Sequence, residues 1–141
     1  MQDSADTLAS LRELARLGVR LALDDFGTGY CSLGYLSRFP LHILKVDRSF
    51  IDGAPWNQEL ATISRAIIGL GNSLGLQVIA EGVEKAEHVE FLQREHCVLA
   101  QGYLFSRPRP ANELQWLLDG KELLQEYRRP QVPLSSLMKE A

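Results

Sequence analysis

Leu21-Ala22-Leu23-Asp24-Asp25-Phe26-Gly27-Thr28-Gly29-Tyr30 is the stretch that decides how this chain is read. An apolar run ends in two adjacent carboxylates and opens at once into a glycine loop. The run before the aspartates has the character of a buried parallel strand. Two carboxylates where such a strand ends are costly to desolvate without a partner. A divalent cation bound by oxygen ligands is the partner that suits them. Taken alone, the stretch reads equally well as a turn rich in Asp and Gly.

Outward from it, helix and strand alternate. A helix begins at Asp3 or Ser4, carries Leu8, Leu11, Leu14 and Leu17 on one broad face, and stops at Gly18. Residues 19–23 form the strand that ends at the aspartates. A short helical turn over 32–38, closed by Pro40, precedes a second strand at 42–46, followed by Asp47. The spacing of Leu60, Ile63, Ile67, Leu70 and Leu74 predicts a helix over 57–74, stopped by Gly75. A third strand at 77–80 ends at Glu81-Gly82. Residues 85–95 are helical with Val89 and Leu92 inward, and a fourth strand at 97–100 ends at Gln101-Gly102. A last helix runs from Pro110 or Ala111 through Leu118, and the proline-bearing tail beyond Tyr127 is expected to be loose.

Length and composition set bounds on function. A chain of 141 residues is one domain by the usual size prior, and 45% hydrophobic content supplies a core. A net charge of -3 offers no basic field for a nucleic acid polymer. Cys31 and Cys97 lack zinc-site spacing and point weakly to a reducing compartment, the cytoplasm. No apolar run nears the roughly 20 residues needed to cross a bilayer, and the first residues do not form a signal peptide.

Short strands separated by helices imply parallel strands joined by right-handed crossovers, an α/β arrangement of βα units. In such sheets the chemistry lies at the carboxyl ends of the strands. Here four successive strands deliver Asp24-Asp25, Lys45 with Asp47, Glu81 and Gln101 to one rim. Packing alone does not account for that pattern. Adjacent carboxylates are hard oxygen ligands for Mg²⁺ or Mn²⁺. Lys45 can orient an attacking water or neutralise phosphate charge, Glu81 can act as a general base or outer-sphere ligand, and Gln101 can hold substrate or water. Together these groups suggest metal-assisted hydrolysis of a phosphate ester. Competing signals are weaker. Asp25-Phe26-Gly27 matches a kinase triplet without the catalytic loop expected before it, and Gly27-Thr28-Gly29 lacks the third glycine of a dinucleotide fold. His42, His88 and His96 have no ligand spacing, and His88 and His96 read as solvated. Trp56 and Trp116 suit packing better than ligand stacking.

Five ordered motifs carry a resemblance: Asp24 to Tyr30, then Ser32-Leu33 with Tyr35-Leu36, then Leu44-Lys45-Val46-Asp47-Arg48-Ser49-Phe50, then Ala80-Glu81-Gly82-Val83-Glu84, and last Gln101-Gly102-Tyr103-Leu104-Phe105-Ser106-Arg107-Pro108. From about residue 1 to residue 118 the chain resembles the EAL domain of bacterial cyclic di-GMP phosphodiesterases. The resemblance implies a modified (β/α)₈ TIM-type barrel that hydrolyses cyclic di-GMP to linear pGpG with Mg²⁺ or Mn²⁺, two ions in the complete domain. It implies Asp24 as bridging metal ligand, Asp25 as ligand of the second ion, and Lys45, Glu81 and Gln101 as catalytic residues. Asp47 and Glu84 take support roles, Phe105 and Pro108 contact guanine, and a loop containing Phe26, Gly27, Thr28, Gly29 and Tyr30 couples the site to dimerisation. Cys31 for a usual Ser and Arg107 for a common Lys are mild departures.

A full barrel takes about 250 residues. The Glu-Ala-Leu triplet, an upstream Asn and a second Glu are not found in this sequence. The resemblance therefore implies the C-terminal half of the domain over residues 1–127, with 128–141 a flexible tail. Such a half leaves unpaired strand edges and an unfilled inner face. Its expected partners are the N-terminal half, a second copy in a homodimer, and cyclic di-GMP. The chain alone is expected to be inactive, and a parent protein can be membrane-anchored through upstream segments. The alternative is a degenerate module that binds cyclic di-GMP or regulates a partner without cutting it. The retained Asp24, Asp25, Lys45, Glu81 and Gln101 argue for a catalytic parent.

Overall fold

Four parallel strands lie side by side in sequence order, β1 (Ala22–Phe26), β2 (Ile43–Val46), β3 (Gln77–Ala80) and β4 (Leu99–Ala100). This is a computed structural model, and it describes residues 2–29, 33–36 and 38–113. Helices fill the connections: α2 (Leu33–Leu36) between β1 and β2, α3 (Arg48–Gly53) and α4 (Gln58–Ser73) between β2 and β3, and α5 (Ala86–Arg94) between β3 and β4. Helix α1 (Gln2–Arg16) precedes the sheet. Parallel pairing requires such crossovers, so the alternation read in the sequence is the fold itself. No helix among the described residues is long and apolar enough to cross a membrane.

The core lies on one face of the sheet. Leu44, Val46, Val78 and Ala80 are buried there with Ile51, Ile68, Phe91 and Leu92 from the helices. Helix α4 approaches closely because its inward residues are small. Ala61, Ser64 and Gly71 are buried beside Ile67 and Ile68, and a side chain at Gly71 would collide with Val78 and crowd Leu44. The expected stripe is therefore rotated: Ile63 and Leu74 are exposed. Asn57 caps this helix, its Oδ1 accepting from the amides of Glu59 (2.9 Å) and Leu60 (3.2 Å). Ser64 satisfies its buried hydroxyl by donating to the Phe50 carbonyl at 2.9 Å.

Several elements depart from expectation. Strand β1 does not end at the aspartates; it runs through them, because the ladder with β2 resumes at Phe26 opposite Val46. Helix α3 is unforeseen and starts immediately after Asp47. Strand β4 is shortened to Leu99–Ala100: the Cys97 amide still turns back to the Leu92 carbonyl (2.9 Å), and its side chain enters the core. Leu14 on α1 and Leu17 just beyond its end are exposed rather than packed. His88 is fully buried, not solvated, and Trp56 is exposed rather than packed away. Burial holds the Cys97 thiol above its ordinary pKa, in its inert protonated form.

His42 extends the β1–β2 pairing. Its amide donates to the Leu21 carbonyl at 2.9 Å, and its Nδ1 accepts from the Leu21 amide at 3.1 Å. By contacts the chain divides into a unit spanning Met1–Arg107 and a second from Pro108. In the second, the expected last helix begins as a 3₁₀ turn at Ala111–Glu113, with Arg109 paired to Glu113 at 3.8 Å. Its continuation to Leu118, the tail at 128–141, Trp116, Tyr30 and Cys31 lie outside the described residues.

Candidate functional site

The site begins with a break in the strand period. Leu23 pairs with Leu44 and Phe26 with Val46, so Asp24 and Asp25 together oppose the single residue Lys45. This is a β-bulge. In a regular strand, neighbouring side chains point to opposite faces. Here Leu23 and Phe26 both pack toward the core, and both carboxylates are left on the other side. The extra residue is absorbed at Asp25, whose φ of 50° is left-handed, a region that Asp tolerates better than most residues. A turn follows in which the Thr28 amide (3.4 Å) and hydroxyl (2.9 Å) donate to the Asp25 carbonyl.

Strand β2 brings Lys45 and the end of β3 brings Glu81 to the same place. Carboxylate oxygens of Asp24, Asp25 and Glu81 all lie within 4.8 Å of one another. The Lys45 ammonium donates to Asp24 Oδ1 at 2.7 Å and also pairs with Glu81 Oε1. The hydrogen bond from Lys45 holds the Asp24 carboxyl below the usual carboxylate range. Reciprocally, the bonds to Asp24 and then Glu81 push the Lys45 ammonium above its ordinary value. Lys45 therefore stays charged throughout the range in which the protein would work. Three carboxylates against one ammonium leave two negative charges uncompensated. The donor set is all hard oxygen, the set a divalent Mg²⁺ or Mn²⁺ takes. Lys45 already sits where positive charge is wanted, so the residues present fit such an ion.

Gln101 follows β4 directly. Its amide donates to the Ala80 carbonyl (2.8 Å) and its carbonyl accepts from the Val83 amide (3.1 Å), which fixes it at the same rim. The glycines after Glu81 and Gln101 have distinct reasons. Gly82 adopts φ of 67° with the Arg48 stem pressed against it, and any side chain at Gly102 would run into the Val83 backbone.

The remaining predicted residues are dispersed among other tasks. Asp47 caps α3, accepting from the amide (2.9 Å) and hydroxyl of Ser49, and those bonds lower its pKa. Glu84 pairs with Arg48 at 2.8 Å. Phe105 is partly buried against the core, and Pro108 is exposed in the second unit. Phe26 is a core residue, while Gly27, Thr28 and Gly29 are exposed. Sequence reasoning missed Arg48 and its helix. The signal was present: Asp47 two residues before Ser49 is an ordinary N-cap arrangement. It also missed the exposed Tyr103, whose ring carries the Arg107 guanidinium at 4.5 Å.

Comparison with known proteins gives a consistent answer. Residues 1–108 match the EAL domain family. Over 133 residues the chain is 48% identical to the cyclic di-GMP phosphodiesterase NbdA of Pseudomonas aeruginosa, a match covering 94% of this chain and 16% of NbdA. It superposes on the EAL domain of Mycobacterium smegmatis DcpA with a TM-score of 0.80 and 42% identity, covering 85% of this chain and 54% of that one. It also superposes on Klebsiella pneumoniae BlrP1 in its manganese and cyclic di-GMP complex, with a TM-score of 0.66 and 38% identity, covering 71% and 26% respectively. The chain thus spans about half of the solved EAL domain and about a sixth of the curated relative.

Proposed function

The chain belongs to the EAL domain family, and from that premise we propose that it supplies one part of the active site of a cyclic di-GMP phosphodiesterase that forms linear pGpG. Its parallel sheet is of the TIM-barrel type found in that family. The observation that carries the functional reading is the Lys45 ammonium shared by Asp24 and Glu81, with Asp25 beside them.

Asp24 and Asp25 would hold Mg²⁺ or Mn²⁺, with Glu81 within reach as a direct or outer-sphere ligand. Bound there, a divalent ion supplies Lewis acidity toward a phosphodiester and lowers the pKa of water. The protein's own groups do the rest. Lys45, held protonated by its carboxylate neighbours, stabilises charge on the phosphoryl oxygens and orients the nucleophile. Glu81 accepts a hydrogen bond from that nucleophile, as a base or a positioning group. Gln101 offers an uncharged amide from the next strand end. Asp47 and Glu84 act at one remove, through α3. Phe105 and Pro108 are assigned to the guanine base, and the loop at 26–30 to coupling with a second copy. Asp25 would also serve a second ion, whose remaining ligands would come from the part of the domain that this chain does not span. Residence in the cytoplasm is part of the same proposal.

A chimera tests this directly. The uncovered portion of a solved EAL domain is joined ahead of this chain and given cyclic di-GMP with Mn²⁺. The expected result is pGpG from the chimera, negligible product from the 141-residue chain alone, and loss of turnover with Asp24→Asn. Undiminished turnover in the Asp24→Asn chimera would remove Asp24 from the reaction. Tight binding of cyclic di-GMP without cleavage by the chimera would favour a sensing module instead.

A further inference from the structure

His88 sits in the first turn of α5 with no solvent exposure, and it is not one of the clustered carboxylate-site groups. Its Nδ1 accepts the Glu84 backbone N–H at 3.3 Å. An accepting ring nitrogen needs its lone pair, so the imidazole is neutral and its proton is on Nε2. Nε2 faces Asp52 on α3, whose Oδ1 lies 3.8 Å away, beyond hydrogen-bond reach, and Nε2 has no hydrogen-bond partner among the described residues. The Trp56 ring meets the imidazole edge-on at 5.5 Å between centroids. The charged groups around it are Asp52 on α3 and Lys85 and Glu87 at the start of α5. Burial outweighs them and holds the imidazole below its ordinary pKa.

The amide that His88 holds lies three residues beyond Glu81. The loop at 81–84 is fixed at its start by the Glu81 amide donating to the Val46 carbonyl at 3.0 Å. At its far end the Glu84 carboxylate reaches Arg48 on α3, and the Glu84 amide reaches His88 on α5. The second of these two ties is the more sheltered, since His88 is fully buried; Arg48 is half exposed and its ion pair is open to water.

We propose that His88 is a positioning residue whose neutral imidazole pins the 81–84 loop through the Glu84 amide and thereby sets Glu81 against Lys45 and the two aspartates. The consequence for the cluster rests on the metal-site reading above, but the pin itself can be measured without a metal. Protonation would place a hydrogen on Nδ1, where the Glu84 N–H now points, and would release the Glu84 end of the loop, leaving Val83 held by Gln101 and Leu104.

The test is amide hydrogen exchange by NMR on the whole chain, in the wild type, His88→Leu and His88→Gln. Leucine fills the volume and accepts nothing, whereas the Gln carbonyl can take the same N–H. The expected result is that protection of the Glu84 amide, relative to its intrinsic rate, falls about tenfold in His88→Leu and returns in His88→Gln. Mn²⁺ affinity, read by paramagnetic relaxation, should fall and return in the same order. In the wild type, Glu84 protection should drop as the His88 ring resonances titrate, and in His88→Gln it should not. That comparison of two folded proteins decides the matter even if His88→Leu unfolds. Unchanged Glu84 protection in His88→Leu, or across the His88 titration, overturns the pin. Lost protection with unchanged Mn²⁺ affinity overturns its link to Glu81. A wild type that binds no Mn²⁺ defeats the metal reading by itself, and the exchange data still judge His88.

Discussion

The two faces of the sheet obey different rules. Toward the helices, Leu44, Val46, Val78 and Ala80 are at most 5% exposed and wholly apolar. On the opposite face, the intervening residues of β2 and β3 are Ile43, Lys45, Gln77 and Ile79, each half-buried or exposed, and Glu81 continues their parity beyond the strand. One strand period serves both purposes: alternate residues build the fold, and those between them build the rim. Strand β1 shows how the two interact. A strict period would send Asp24 and Asp25 to opposite faces. The bulge keeps Leu23 and Phe26 in the core and releases both aspartates to the rim.

The sharpest way to break this contrast is to disturb the packed face. Leu44→Ala empties a fully buried site between β2 and α4, and should cost about 3 kcal/mol in urea unfolding. A cost below about 1 kcal/mol would mean that this face is not the close-packed one. Gly102→Ala comes next. Its methyl group must displace the Val83 backbone, so a loss of about 2 kcal/mol is expected, with the Glu81–Glu84 loop shifted in amide chemical shifts. If the alanine variant is as stable as the parent, the close approach is not real.

A smaller effect is expected from acid. The His88 imidazole is held below its ordinary pKa, so the unfolded chain takes up the proton first as pH falls. The stability tied to neutral His88 is complete above the unfolded value of about 6.5 and is lost as pH falls from there through the lower folded value. His88→Gln should flatten that part of the stability–pH curve. Parallel curves for the two proteins would show that burial of His88 is not what the acid side senses.

Much of this was legible in the primary structure, for physical reasons that differ by element. Strand β3 and the end of α4 were readable because their neighbours are unambiguous: Gly75 stops the helix, and Gln77–Ala80 is a short apolar run. The convergence of Asp24, Asp25, Lys45 and Glu81 followed from strand ends sharing one rim, which topology alone dictates. The bulge was not legible, since a two-against-one register depends on the partner strand and not on local sequence. Nor was the burial of His88. One polar residue on an amphipathic helix reads as solvent-facing until the helix rotation is known, and here Phe91 and Leu92 set that rotation. The same held for α4, whose contact face is made by small residues that a search for large apolar ones passes over.

The most direct measurement separates the faces with a single substitution. Asp24 is largely exposed and lies on the open face, so Asp24→Asn should change the free energy of urea unfolding little, by less than about 0.5 kcal/mol. If the rim is a divalent-ion site, the same change should weaken Mn²⁺ binding by at least about tenfold, as read by electron paramagnetic resonance titration of the folded chain. Equal Mn²⁺ affinity in Asp24→Asn and the wild type would contradict the account at its centre, since the carboxylates gathered by the bulge would then have no ion to hold.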